Sequence, residues 1–159
     1  MIFKKSPNQS GRIGHKPSMI VIHADAGTTD AGTVDWISRA ESRVSYHYLV
    51  GRDGEIYQFV NEDRKAWHSG KSFWDGFTNV NEISVGVSFA NNGSEPYRQV
   101  QYEEGGWLVA DICERHNIPA HRIRAHSEVS PGRKTDPYEH FDWSAFLLEY
   151  ALESRERQP

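Results

Sequence analysis

The chain has 159 residues, of which 37% are hydrophobic and 25% charged, a composition typical of one globular domain. Its net charge of −4 argues against nucleic acid as the main partner, because phosphate binding favours a basic surface. Cys113 is the only cysteine, which excludes an intrachain disulfide, and no apolar run approaches the ~18 residues of a membrane span. We therefore expect a monomeric domain that binds neither nucleic acid nor a membrane.

The first 17 residues predict an irregular arm, because they are polar and are interrupted by prolines and glycines. The lysines near the N-terminus are not followed by the apolar segment of a secretory signal, which favours synthesis and first folding in the cytoplasm. The domain itself is predicted over residues 18–153, and the polar residues 154–159 are expected to fray.

The apolar run Met19–Ile22 predicts a buried central strand. His23 follows at the carboxyl end of this strand, where α/β sheets collect ligands, although a histidine packed in the core fits the position equally well. A helix is predicted over residues 34–40, capped by Asp30 or Thr33. Its expected inward face consists of Trp36, Ile37 and Ala40.

Residues 44–50 and 55–60 are rich in β-forming side chains, and the Asp-Gly between them predicts a hairpin. Alternation along the first strand places Tyr46 on the same face as Tyr48 and Val50, with His47 and Leu49 on the other face. The Tyr46 phenol is both a donor and an acceptor, so it either packs in the sheet or serves a site.

The rest of the chain predicts one more strand, two more helices and an aromatic loop. Residues 83–89 alternate between an apolar face and a face of small residues, which allows a close approach of backbone or ligand. Helices are expected over residues 102–116 and 143–152, the second capped by Asp142 with Phe146, Leu147 and Tyr150 turned inward. Loop 71–81 carries aromatic side chains that either contact ligands or pin the loop to the core.

The stretch from Ala125 to Asp136, AHSEVSPGRKTD, holds a potential metal ligand near each end. Its His126 and Asp136, together with the earlier His23, make two imidazoles and one carboxylate. This set is known from catalytic zinc sites that keep a position open for water. Lys134 lies two residues before Asp136, and an extended backbone would point both side chains to the same side. Such a lysine could stabilise the oxyanion formed during attack on an amide, and Tyr46 could bond the same oxygen or orient the water.

Five segments carry a resemblance to a known family: VIHADAG, SYHYLVGRDGEIYQFV, AWHSG, ISVGVSFANNG and AHSEVSPGRKTDPYEHFDW. In this order they resemble the zinc-dependent N-acetylmuramoyl-L-alanine amidases, the superfamily of phage lysozyme-type amidases, peptidoglycan-recycling amidases and peptidoglycan recognition proteins. The resemblance implies a single α/β domain with a central mixed sheet flanked by helices. It also implies hydrolysis of the amide between N-acetylmuramic acid and L-alanine, in the cell wall or in cytoplasmic muropeptides.

The same resemblance implies roles for particular residues. His23, His126 and Asp136 take the positions of the zinc ligands, Lys134 that of the catalytic lysine and Tyr46 that of a catalytic tyrosine. Four further residues are expected to contact substrate: Trp67, His68, Trp74 and Ser88.

Ser88 departs from the pattern, because the recycling enzymes usually carry a water-activating Glu at this position. A module that binds peptidoglycan without cutting it is therefore an alternative, and a regulator that acts through a protein partner is another. The complete ligand set, Tyr46 and Lys134 favour the enzyme.

Overall fold

A computed structural model describes residues 1–157 and confirms the predicted α/β domain with a mixed sheet flanked by helices. Six strands form the main sheet in the order β1-β5-β4-β7-β3-β8, in which only the β4–β5 pair is antiparallel. The strands are β1 Ile2–Phe3, β2 Gln9–Gly11, β3 Met19–Ala24, β4 Tyr48–Val50, β5 Ile56–Gln58, β6 Arg64–Ala66, β7 Ser84–Phe89 and β8 Ile123–Ala125. The α-helices are α1 Asp30–Ile37, α2 Gln99–His116, α3 His126–Val129 and α4 Trp143–Glu156.

Strand β3 is buried on both faces, as its apolar sequence predicts. Ile20 and Ile22 belong to the large core that includes side chains of α2 and α4, whereas Met19 and Val21 belong to a smaller core with Val129 of α3. Because side chains alternate along a strand, His23 points to the same face as Val21. The sheet thus has a helix-covered face and, opposite it, a face that carries His23.

Strand β7 confirms the predicted division between apolar and small side chains. Val85, Val87 and Phe89 lie in the large core, and Ser84, Gly86 and Ser88 occupy the His23 face. Small residues leave room on this face for a bulky group.

Helix α2 begins at Gln99, three residues before its predicted start, so Gly105 and Gly106 lie in its interior rather than in its first turns. Both glycines have a packing reason. A Cβ at Gly105 would lie 2.3 Å from Cζ of Phe89, and a Cβ at Gly106 would lie 2.8 Å from the backbone nitrogen of Tyr150 in α4. Their absent side chains let α2 approach the sheet and α4 closely.

The prediction of an irregular N-terminal arm is wrong, because the arm adds strand β1 to the sheet edge and pairs β2 with β6. Arg12 anchors the arm by donating to the backbone carbonyls of Glu62, Asn81, Glu82 and Ser84 at 2.8–3.0 Å. Backbone and guanidinium bonds to distant segments therefore order a stretch whose composition is that of a loop.

Three predicted helix details are also corrected. Helix α1 begins at Asp30, capped by Thr29, and ends at Ile37, so Trp36 and Ala40 are exposed instead of inward. In α4 the Asp142 cap and the buried Phe146 are confirmed, but Leu147 is 40% exposed. Helix α4 also continues to Glu156, past the predicted end at residue 152, and residues 158–159 lie outside the described part of the chain.

The predicted hairpin forms between β4 and β5, with shorter strands than expected. Residues 44–47 lie outside β4, so the alternation does not extend to Tyr46. Tyr48 and Val50 enter the large core, but Tyr46 packs with the cluster of Leu49 on the opposite face, contrary to the prediction. This correction moves the Tyr46 phenol to the His23 face of the sheet.

Within residues 1–157, no helix combines the length and the apolar character needed to cross a bilayer.

Candidate metal centre

Three potential ligands meet at the carboxyl ends of two neighbouring parallel strands. His23 lies in β3, His126 follows β8 directly as the first residue of α3, and Asp136 lies in the loop beyond α3. Nδ1 of His23 lies 3.0 Å from Nδ1 of His126 and 3.2 Å from Oδ2 of Asp136, and Nδ1 of His126 lies 3.0 Å from Oδ1 of Asp136. All three residues are buried, and one ligand atom of each lies within 4.8 Å of the others.

The environment of His126 fixes which ring nitrogen faces this cluster. Its Nε2 lies 3.1 Å from the carbonyl oxygen of Ser69, which can only accept, so Nε2 carries the proton. Nδ1 of His126 then carries the lone pair, which points at Nδ1 of His23 and at a carboxylate. Buried acceptors that converge in this way need a cation, and two imidazoles with one carboxylate match the donor preference of Zn²⁺.

Both kinds of ligand are held in the form that binds a metal. Burial lowers the pKa of His23 to about 4, so the imidazole is neutral at pH 7. Burial alone would raise the pKa of Asp136, but the adjacent imidazoles of His126 and His23 outweigh it and hold that pKa below its ordinary value. A neutral imidazole and an ionised carboxylate are the states that coordinate a metal ion.

Tyr46 stands beside the ligands, with its ring centroid 5.2 Å from that of His23. Burial, with a contribution from the charge of Asp136, raises the pKa of Tyr46 above its ordinary value. The phenol therefore stays protonated at neutral pH and acts as a hydrogen-bond donor rather than as a base. It also lines a cavity of about 290 Å³ beneath α1 and the loop after β3.

Ser88 is the direct neighbour of His23 in the sheet, because the two residues are register partners between β3 and β7. Its side chain is fully buried, and Oγ has no hydrogen-bond partner of acceptable geometry within residues 1–157, although it faces the Tyr46 hydroxyl. A buried hydroxyl without a partner is uncommon in native structures. Here it lies next to His23, one of the three potential ligands.

Lys134 is exposed on the loop between α3 and Asp136. Its charge contributes, after burial, to the lowered pKa of His23, which places the ammonium within electrostatic range of the ligands. It lines a second cavity, of about 650 Å³, together with Tyr138, His140 and Trp143. Tyr46 and Lys134 thus face two different openings near one ligand set.

The remaining predicted substrate residues also make structural contacts. Trp67 donates from Nε1 to Oγ of Ser10 at 3.0 Å and so ties the arm down, and Trp74 packs on the Met19 cluster beneath the guanidinium of Arg124. His68, predicted to lie beside the cleft, is 7% exposed and sits behind His23.

Sequence reasoning missed two contributors to this architecture. The Ser69 carbonyl orients His126, and Arg133 donates both to that carbonyl and, at 3.1 Å from Nε, to the carbonyl of Lys71. The pattern of side chains in a sequence does not show which backbone carbonyl will orient a ligand residue. The small face of β7, centred on Gly86, was the available signal that a bulky group packs there.

A mixed sheet that gathers two imidazoles and a carboxylate at the ends of its parallel strands, with a phenol and an ammonium nearby, presents the donor set of a candidate hydrolytic metal site. The chain belongs to the N-acetylmuramoyl-L-alanine amidase family, whose model matches residues 13–139. It is 33% identical over 148 residues to the 1,6-anhydro-N-acetylmuramyl-L-alanine amidase AmpD of Enterobacter cloacae, covering 82% of this chain and 79% of that protein.

Two solved structures share the fold. A selenomethionine derivative of AmpD has a TM-score of 0.80 and 29% identity, with 93% of each chain covered. The N-acetylmuramyl-L-alanine amidase AmiD from E. coli has a TM-score of 0.77 and 29% identity over 84% of this chain and 57% of that one. The AmiD structure is a complex with the substrate anhydro-N-acetylmuramic acid-L-Ala-D-γ-Glu-L-Lys.

Proposed function

We propose that this protein is a zinc-dependent amidase that hydrolyses the bond between the lactyl group of N-acetylmuramic acid and L-alanine in peptidoglycan or its fragments. The observation that carries the proposal is the buried convergence of His23, His126 and Asp136. Membership of the amidase family and the muropeptide bound to AmiD support the substrate class. We expect the protein to act as a monomer.

The three ligand residues would hold the ion through Nδ1 of each imidazole and one carboxylate oxygen. Bound zinc supplies Lewis acidity, which polarises a carbonyl and lowers the pKa of water. His126 donates from Nε2 to the carbonyl oxygen of Ser69, and the backbone amide of Ala24 donates to Oδ2 of Asp136 at 3.3 Å. These two hydrogen bonds limit the movement of the ligands. The site is thus organised before substrate arrives.

Lys134 and Tyr46 supply positive charge and a hydrogen bond to the reacting amide. The ammonium of Lys134 is exposed and can reach a bound substrate, where it would stabilise negative charge that develops on the carbonyl oxygen. The neutral phenol of Tyr46 would donate to the same oxygen or orient the attacking water. Removing a single such donor typically lowers kcat about 10²–10³-fold.

Ser88 favours the alternative of a non-catalytic peptidoglycan-binding module, since a serine cannot replace a carboxylate base. Asp25 lines the cavity next to Tyr46, but its oxygens already accept hydrogen bonds from the backbone amide of Asn91, at 2.8 Å, and from the hydroxyl of Thr33. Water activation in this chain would therefore depend on the metal and on Tyr46. The hydroxyl of Ser88 is fully buried in this structure, so in our proposal it reaches the substrate or the water through a movement of the residues that cover it.

The test is mass spectrometry of two substrates after incubation with zinc-loaded protein: intact purified peptidoglycan and soluble anhydromuropeptides. We expect release of free stem peptide, with the mass of one water added to the products. His126→Ala is the inactive control, and Tyr46→Phe should slow release without lowering the melting temperature. Binding of zinc and peptidoglycan by the wild type without any peptide release would establish the binding module instead.

The same two substrates separate wall cleavage from recycling. Release from intact peptidoglycan indicates an enzyme that cuts the cell wall, and release from soluble fragments alone indicates a recycling enzyme. The Ser88→Glu variant adds a carboxylate at the recycling-enzyme position, and faster turnover than wild type would show that the serine limits catalysis.

A further inference from the structure

A second buried histidine, His68, stands directly behind the ligand His23. Nδ1 of His68 lies 2.9 Å from Nε2 of His23, and Nε2 of His68 lies 3.1 Å from Oγ of Ser84. The two rings are nearly perpendicular, with centroids 5.0 Å apart. His68 therefore touches the imidazole of a ligand at the nitrogen that faces away from the metal position.

The hydrogen-bond chain has a fixed direction, because it ends on a group that can only accept. Oγ of Ser84 donates its single proton to the carbonyl oxygen of Val80 at 2.7 Å. Ser84 must then accept from Nε2–H of His68, which leaves Nδ1 of His68 as the acceptor. Nδ1 of His68 lies near two groups, Nε2 of His23 at 2.9 Å and Oγ of Ser69 at 3.0 Å, and can accept from both. Nε2 of His23 is the donor in the first contact, and Nδ1 of His23 presents a lone pair to the metal position.

The fold reserves space for this ring. A Cβ on Gly86 would lie 2.6 Å from Cγ of His68, so any larger residue there would displace the imidazole. Oδ1 of Asn81 accepts from the backbone amides of His68 and Ser69, at 3.2 and 2.8 Å, and holds the segment that carries the ring. The ring is thus positioned both by contact and by hydrogen bonds.

We propose that His68 is a positioning residue whose hydrogen bond to Nε2 fixes His23 in the tautomer that offers Nδ1 to zinc. This inference rests on the proposed metal centre and assigns a task to a residue first expected to bind substrate. It also gives a reason for two small residues on the same face of β7. Ser84 accepts a hydrogen bond from His68, and Gly86 leaves space for the ring.

A pair of substitutions separates the hydrogen bond from packing. His68→Asn can place its amide oxygen near the position of Nδ1 and keep an acceptor for His23. His68→Gln has its amide group one carbon farther out, near the position of Nε2, and keeps only the contact to Ser84. We expect His68→Gln and His68→Ala to weaken zinc binding about 10–100-fold, the usual effect of losing a group that supports a ligand.

The first measurement is the Kd for zinc, obtained by competition with a chromogenic chelator, alongside the melting temperature of each metal-free variant. The proposal predicts that His68→Asn retains affinity within a fewfold of wild type while His68→Gln does not. Ser84→Ala keeps the imidazole but frees its tautomer, so it should weaken zinc binding in the same direction and by less than His68→Ala. Equal affinities for wild type and His68→Ala would overturn the proposal, as would equal losses in the Asn and Gln variants.

The second measurement reads the tautomer itself and needs no metal. Long-range ¹H–¹⁵N correlation spectra of the metal-free protein should show His23 protonated at Nε2 in wild type and His68→Asn, and a mixture of tautomers in His68→Gln. A proton on Nδ1 of His23 in the wild type would refute the positioning role. If zinc does not bind at all, the proposed function fails, and the spectra still decide whether His68 sets the tautomer.

Discussion

Replacement of Gly106 by alanine tests the close packing of α2 on α4. In an open helix this change should stabilise by about 1 kcal/mol, because alanine has the higher helix propensity. In this structure the new Cβ would lie 2.6 Å from Cβ of Glu149 and 2.8 Å from the backbone nitrogen of Tyr150. A backbone atom cannot rotate away as a side chain can, so the two helices would have to separate.

Overpacking of this kind typically destabilises by about 1–3 kcal/mol, and the backbone contact places Gly106→Ala at the upper end. After the propensity gain, we expect a net loss of about 2 kcal/mol, which corresponds to a melting temperature about 4–8 °C lower for a domain of this size. The assay is chemical and thermal unfolding followed by circular dichroism. Zinc uptake should not change, because α2 and α4 cover the face of the sheet opposite His23.

The exposed Glu103 in the same helix provides the matched control. Glu103→Ala should be more stable than Glu103→Gly by about 1 kcal/mol. This difference measures the effect of helix propensity on stability without any change in the packing of α2 on α4. If Gly106→Ala is as stable as wild type or more so, the argument from close helix packing is wrong.

Three further predictions concern the site, the core and the response to pH. Lys134→Met should lower kcat about 10²–10³-fold with KM nearly unchanged, since the ammonium acts mainly in the transition state; a change confined to KM would contradict this assignment. Val21→Asp, at a fully buried position, should abolish folding as judged by circular dichroism, whereas Val44→Asp, at a position 40% exposed, should melt close to wild type. Burial raises the pKa of Glu62, but hydrogen bonds, with that from Arg115 the largest, outweigh burial and lower the pKa from 4.5 to about 2. The ionised Glu62 therefore stabilises the fold above pH 4.5, and this stabilisation is lost as the pH falls toward 2. Glu62→Gln should therefore reduce the melting temperature at pH 7 and differ little from wild type near pH 2, and an equal difference at both pH values would count against this account.

The three candidate ligand residues were proposed from their places in the sequence together with the family resemblance, since the residues alone left His23 open to a role in the core. A β-branched apolar run ends at His23, and a loop-forming sequence separates His126 from Asp136. Parallel strands then bring these ends to one edge of the sheet, as a general rule of α/β folds predicts. The family match and the geometry of the three ligand residues agree with that expectation.

Features set by distant hydrogen bonds were not predictable in this way. The arm has a loop-like composition. Its strands form because they pair with β5 and β6 and because Arg12 donates hydrogen bonds to backbone carbonyls of the domain. Tyr46 changes face because regular strand geometry begins only after it. His68 was placed in the cleft because a histidine in a family motif suggests substrate contact, whereas its location depends on the space above Gly86. The small residues of β7 indicate that such a space exists but not which side chain fills it.

The parallel pairing of β3 has a consequence for synthesis of the chain. One edge of this strand is covered by β8, which is made about 100 residues later, so on a ribosome adding ~5–20 residues per second that edge stays open for about 5–20 s. An apolar strand with unpaired backbone groups is a template for pairing with other chains. The segment that carries His23 is therefore where newly made chains should aggregate.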